Sequence, residues 1–228
     1  MVNELNAGAR GTTGVSRVPT AVLVSGSGTN LQAVIDASKQ GQLPLDLRLV
    51  VSSKAEAYAL KRARRAGIPS AVLRYDRRRE TRSEYALRVA SAVSGSGAQL
   101  VLLLGWMHVL AQEFLDSGFE GVLNLHPAYL PEEPGDDVVV FADGTTTPVF
   151  RGAHALRDAL AAKAPHTGAS LIQITGLVDR GPLLARRPMQ LHPHEDQEAA
   201  LERLHAVERE VVREGILRWI AARSRSTT

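Results

Sequence analysis

Asn124 and His126 stand two residues apart in Val122-Leu123-Asn124-Leu125-His126-Pro127, a β-favouring segment stopped by a proline. In an extended chain, side chains two apart leave the same face, so an amide and an imidazole sit side by side at a strand end. The amide can donate to a developing oxyanion, and the imidazole can donate or exchange a proton. A reaction at a carbonyl can use both. Asn-x-His-Pro is also an ordinary strand end entering a turn, and alone it decides nothing.

Three other stretches could serve the same chemistry. Asp179 lies in the loop Thr175-Gly176-Leu177-Val178-Asp179-Arg180-Gly181-Pro182. A carboxylate fixed there could orient a water or hold a histidine charged, although Asp near Gly-Pro is also common turn chemistry. The apolar run Thr20–Val24 ends at Ser25-Gly26-Ser27-Gly28-Thr29-Asn30, and Leu31, Val34 and Ile35 then recur at helical spacing. Strand, glycine-rich turn and helix together aim free backbone N–H groups at an anion. Leu31 stands where the third glycine of a dinucleotide fingerprint belongs, and no Gly-Lys-Ser/Thr follows, which favours a single phosphate. Gly105-Trp106-Met107-His108-Val109-Leu110 follows a continuous apolar run. Trp106 and Met107 are pocket wall or plain core, and His108 could donate to a substrate oxygen.

The elements that must position these groups alternate. Strands are expected at 20–24, 45–51, 70–73 and 100–104, with helices from Leu31 to a stop at Gly41, at 55–66 before Gly67, and at 81–94. That alternation predicts an α/β fold, a doubly wound, mostly parallel sheet with helices on both faces. In such sheets ligands lie beyond the carboxyl ends of the strands, where the glycine loop and Asn124 both fall. Beyond Pro127 the pattern breaks. Val138–Phe141 before Asp143-Gly144 predicts a solvated hairpin, whose acidic residues are too irregular for a metal loop. A helix is expected at 153–163, an alternating strand at 166–174, the apolar pair Leu183-Leu184 after the loop, and an amphipathic closing helix over 201–220.

Cysteine is absent, which excludes disulfides, cysteine zinc sites and cysteine nucleophiles. A formal charge of +3, from 27 Lys and Arg against 24 Asp and Glu, suits small anionic substrates and falls short of a nucleic-acid footprint. No apolar run is long enough to span a membrane, and residues 1–18 lack the apolar middle of a signal peptide. They are read as a disordered leader on a cytoplasmic protein, followed by one domain over 19–223 and a loose tail over 224–228.

In order along 20–219, these stretches resemble the formyltransferase family that uses 10-formyltetrahydrofolate. The likeness rests on Ser25–Gln32, Ser53-Lys54-Ala55 with Arg62-Ala63-Arg64, Gly105–Leu110, Asn124-Leu125-His126-Pro127, Thr167-Gly168, and Asp179 with Gly181-Pro182. The resemblance implies a Rossmann-like fold and formyl transfer to an amine, with glycinamide ribonucleotide of purine biosynthesis as acceptor. It implies 10-formyltetrahydrofolate as co-substrate and no metal. Residue by residue, it makes Asn124, His126 and Asp179 the catalytic trio and gives the substrate phosphate to Gly28, Thr29 and Asn30. Folate falls to Arg82, Trp106, Met107, Val109, Leu110, Thr175, Gly176, Leu177 and Val178, with His108 on the substrate side. Three features depart from the family pattern: His108 where arginine is frequent, an apparent hairpin insertion near 132–148, and Ile172 where a histidine is usual. Hydrolysis of the formyl donor, transfer to another amine, and a non-catalytic folate- or nucleotide-binding module remain open alternatives. A homodimer is compatible with the sequence, which does not select one.

Overall fold

Val18 is buried in the core, so the first strand, β1 (Val18–Val24), begins two residues earlier than its apolar run suggests and inside the expected leader. The computed structural model describes residues 16–152 and 154–226, and residues 1–15 of that leader lie outside them. After β1 come α1 (Thr29–Lys39), β2 (Leu45–Ser52), α2 (Tyr58–Ala66), β3 (Ser70–Val72), α3 (Arg82–Gly95) and β4 (Leu100–Leu103). The second half holds α4 (Gln112–Leu115), β5 (Gly121–His126), the hairpin β6 (Val138–Val140) and β7 (Thr146–Pro148), α5 (Ala155–Ala161), β8 (His166–Gln173), β9 (Leu183–Gln190) and α6 (Gln197–Ser226).

Seven strands form one sheet in the order β3-β2-β1-β4-β5-β8-β9. The first five run parallel, while β8 and β9 are antiparallel to their neighbours. Alternation along β1 feeds two cores. Val22 and Val24 pack with Leu31 and Ile35 of α1 and Leu204 and Ile216 of α6. Ala21 and Leu23 pack with Tyr85 and Val89 of α3 and Phe114 of α4. Helices therefore cover both faces, and each fully buried Leu such as Leu123 or Leu171 contributes roughly 1.5–3 kcal/mol. The chain order reverses between β1 and β4, which opens a crevice at their carboxyl ends.

Local chemistry sets the boundaries. Thr81 caps α3 in a reciprocal box with Glu84, which fixes the start of that helix. The α2 helix starts at Tyr58 rather than at the expected Ala55 and stops at Gly67, in the left-handed region at φ 73°. The sequence pattern predicts only Leu183-Leu184 where β9 runs for 8 residues. Arg186, Arg187 and Pro188 interrupt the apolar alternation, as suits a strand at the sheet edge. The closing helix is 30 residues long and carries Ser224–Ser226, so those residues are not the loose tail expected, and 227–228 lie outside the described residues. The hairpin turns at Asp143-Gly144 as the sequence predicts, with Phe141 N–H donating to the Thr145 carbonyl at 2.8 Å.

Candidate active site

At the end of β1, Gly28 forms the N-cap of α1 at φ 69°, a conformation that favours glycine. A Cβ there would also lie 2.6 Å from the Cβ of Ala59, so α2 packs against the loop as only glycine allows. No side chain caps α1, which leaves the N–H groups of Thr29, Asn30 and Leu31 for an anion. The loop is clamped from two sides. Arg62 Nε donates to the Ser27 carbonyl at 2.9 Å, and the Ser25 hydroxyl meets the Ser53 hydroxyl at 2.7 Å and accepts from Met107 N–H at 3.1 Å. Three carboxyl-end loops are thereby joined.

At the end of β5, Asn124 and His126 leave the same face, as period two requires. Asp179, 55 residues further on, comes to both. Asn124 Nδ2 donates to its Oδ1 at 3.3 Å, His126 Nδ1 lies 3.5 Å from its Oδ2, and Gly152 N–H donates to Oδ2 at 2.9 Å. Asp179 holds a left-handed φ of 51°, sparsely populated for a residue with a Cβ and most tolerable for Asp or Asn. Gly181 braces the loop, because a Cβ there would fall 1.7 Å from the Gln173 carbonyl oxygen. His126 is only 3% exposed, and its Nε2 lies 2.8 Å from the Phe150 carbonyl. A carbonyl only accepts, so Nε2 carries a hydrogen, and Nδ1 complements the carboxylate when it carries one as well. At 3.5 Å that contact is loose, which leaves an Nδ1 proton accessible to an oxygen entering from the cavity.

One cavity of about 330 Å³ joins these parts, lined by Gly26–Asn30, Leu103–Leu110, Asn124–Pro127, Gly152, Thr175–Asp179 and residues of α6. Trp106, Met107, Val109, Leu110, Leu177 and Val178 give it an apolar wall suited to a flat ring. Ile172 pairs with Asn124 across the β5–β8 register and adds to that wall. His108 also lines the cavity, edge-on to Tyr85 and Trp106 at ring-centroid distances of 5.6 Å. Burial, and then the charges of Lys54 and Arg82, hold its pKa below the usual imidazole value. Arg82 itself is exposed at the start of α3 and does not line the cavity.

Sequence reasoning missed the α6 wall. Glu208 and His205 both line the cavity, and Asn30 Nδ2 donates to Glu208 Oε2 at 2.7 Å. Burial pushes the Glu208 carboxyl up to about 7, against the opposing effect of the Asn30 hydrogen bond. The signal was present. Glu208 falls four residues after Leu204 and three before Val211, on the buried stripe of the helix, where a carboxylate has no business unless it is partnered. Among the described residues no cluster of three or more His, Asp or Glu side chains is arranged to hold a metal, and no helix is long and apolar enough to cross a membrane.

A doubly wound sheet with an anion cradle and an amide, an imidazole and a carboxylate around one crevice has the layout of an α/β enzyme that handles acyl groups. The chain belongs to the formyl transferase family, whose pattern it matches over residues 18–216. It is 31% identical over 207 residues to phosphoribosylglycinamide formyltransferase of Dictyostelium discoideum, covering 86% of this chain and 94% of that protein. It is 33% identical over 210 residues to the protein of the same name from Schizosaccharomyces pombe, covering 86% and 93%. Among solved structures, glycinamide ribonucleotide transformylase 1 of Symbiobacterium toebii superposes with a TM-score of 0.76 at 29% identity, covering 90% of this chain and 91% of that one.

Proposed function

We propose that this protein transfers the formyl group of 10-formyltetrahydrofolate to the amine of glycinamide ribonucleotide, a step of de novo purine biosynthesis. The observation that carries this reading is the meeting of Asn124, His126 and Asp179 in the cavity that the α1 anion cradle also lines. Relatives matched along nearly their whole length, and bearing that acceptor in their names, support it. In this reading the domain expected over 19–223, which β1 and α6 extend to 18–226, is one formyltransferase domain carrying the hairpin near 132–148 as an insertion, and the protein works in the cytoplasm.

Gly28, Thr29 and Asn30 hold the ribonucleotide phosphate on the free N–H groups of α1. Trp106, Met107, Val109 and Leu110, facing the segment Thr175, Gly176, Leu177 and Val178, hold the pterin between apolar surfaces. His108, in the cavity lining, serves the substrate side, and Arg82, exposed outside that lining, is left for the anionic tail of the folate. The amine adds to the formyl carbon, and the carbonyl oxygen takes up the negative charge. One N–H of Asn124 is committed to Asp179. Its second N–H and the Nδ1 proton of His126 stabilise the oxyanion, and a single good donor of this kind is worth about 3–4 kcal/mol in the transition state. Asp179 balances the imidazolium and orients a water, which carries the proton from the new ammonium to the departing folate nitrogen. The bond from that nitrogen to the formyl carbon then breaks. The enzyme forms no covalent bond to the formyl group.

Incubating the purified protein with 10-formyltetrahydrofolate, with and without glycinamide ribonucleotide, tests the reading. Release of tetrahydrofolate only when the amine is present is the expected result. Release without it would make the protein a hydrolase, and no release in either case would overturn the assignment.

A further inference from the structure

Asp179 and Arg180 are consecutive, yet their side chains engage two different parts of the molecule. Asp179 enters the cavity, while Arg180 turns to the base of the hairpin and does not line the cavity. Arg180 Nη1 donates to the carbonyls of Pro134 at 2.7 Å and Gly135 at 3.1 Å, and Nη2 donates to Asp137 Oδ1 at 2.9 Å. The same Oδ1 accepts from Arg151 Nη1 at 2.7 Å, and Arg151 Nη2 donates to the Asp136 carbonyl at 2.6 Å. These two guanidinium groups, Arg180 first, hold the Asp137 carboxyl below the usual carboxylate range.

The neighbours of Arg151 complete the pattern. Phe150 presents its carbonyl to His126 Nε2, and Gly152 gives its N–H to Asp179 Oδ2. Both arginines that grip the hairpin base are therefore one residue away, along the chain, from a group that touches the trio. The loop they anchor needs such a hold. Leu177 and Val178 are largely exposed, and Asp179 sits at a positive φ that its Cβ disfavours.

We propose that Arg180, braced through Asp137 against Arg151, is a positioning residue for the transfer: it pins the 175–181 loop to the hairpin base and so keeps Asp179 against Asn124 and His126. The proposal rests on the reading of Asp179 as a participant in formyl transfer. It gives the hairpin a task, as the fixed post to which the catalytic loop is moored. Arg180 touches no reacting group and works only through its neighbour.

Steady-state kinetics with 10-formyltetrahydrofolate and glycinamide ribonucleotide test this on Arg180→Ala and Asp137→Asn, each alone and combined with Asp179→Asn, with thermal unfolding as control. Arg180→Ala is expected to lower kcat by about tenfold to a hundredfold, and Asp137→Asn by less, about threefold to tenfold. KM for both substrates should stay within about twofold. In the Asp179→Asn background neither change should lower kcat further, since each acts through that carboxylate. Wild-type kcat in Arg180→Ala and Asp137→Asn beside a crippled Asp179→Asn overturns the positioning role and leaves the site assignment standing. A further full loss in the double variants overturns it too. Wild-type turnover in Asp179→Asn overturns the site assignment and this proposal together. Should Arg180→Ala fail to fold, Asp137→Asn decides alone, because the Asp137 side chain is 72% exposed and not part of the core.

Discussion

The backbone N–H of Gly152 donates to Oδ2 of Asp179 at 2.9 Å, the shortest contact the carboxylate makes. It joins the segment after the hairpin to the loop after β8, two irregular stretches that the sheet alone would not hold together. The carboxylate spends Oδ1 on Asn124 and shares Oδ2 between Gly152 and His126. Asp179 thus has its place set by a backbone group and an amide, and its charge is left to face the imidazole. That division of labour is what an oriented acid–base partner requires.

The loop that carries Asp179 should tolerate no side chain at Gly181. An alanine Cβ would fall 1.7 Å from the Gln173 carbonyl oxygen, a backbone atom that cannot rotate away. Gly181→Ala is expected to cost on the order of 2–4 kcal/mol of stability and to lower kcat as the loop retreats. Chemical denaturation and turnover measured on the same preparation check both, and unchanged values in either would refute the brace.

Glu208 gives stability a pH dependence of definite sign. Its carboxyl is raised to about 7 in the folded chain, from an ordinary value of 4.5, so the folded state binds the proton more tightly than the unfolded one. Stability attributable to Glu208 therefore falls as pH rises from 4.5 to about 7, by on the order of 3 kcal/mol, and is level above that. Glu208→Gln removes this slope. The difference in unfolding free energy between variant and wild type should grow in favour of the variant from pH 5 to pH 8. A constant difference would contradict the buried, proton-holding carboxyl.

His108 offers a titration that can be followed directly. Burial is the main cause of its lowered pKa, with Lys54 and Arg82 adding to it. Arg82→Gln should therefore move the His108 midpoint upward, while burial still holds it below the ordinary imidazole value. An NMR titration of the ring protons reads this, and an unmoved midpoint would remove Arg82 from the neighbourhood of the site.

Much of this arrangement is written in the sequence as spacing. Asn124 and His126 share a face because strands have period two, and Gly28 marks the anion loop because the backbone there turns left-handed against α2. Thr81 with Glu84 announces the start of α3. What escaped has physical reasons. The carbonyl of Phe150 and the N–H of Gly152 are backbone groups, and nothing in residue type says where a loop will aim them. Only Leu183-Leu184 of β9 is legible, because an edge strand can carry Arg186, Arg187 and Pro188 without losing its pairing. Glu208 was legible only by asking why a carboxylate should interrupt an apolar helical stripe.

In the proposed transfer, Asn124, held at Asp179, stabilises the oxyanion formed at the transferred formyl group. Steady-state turnover of Asn124→Ala, set beside its equilibrium affinity for the folate co-substrate, tests it most directly. A loss of kcat on the order of a hundredfold or more is expected, with folate affinity within about twofold of wild type. Near-normal turnover in that variant would contradict it.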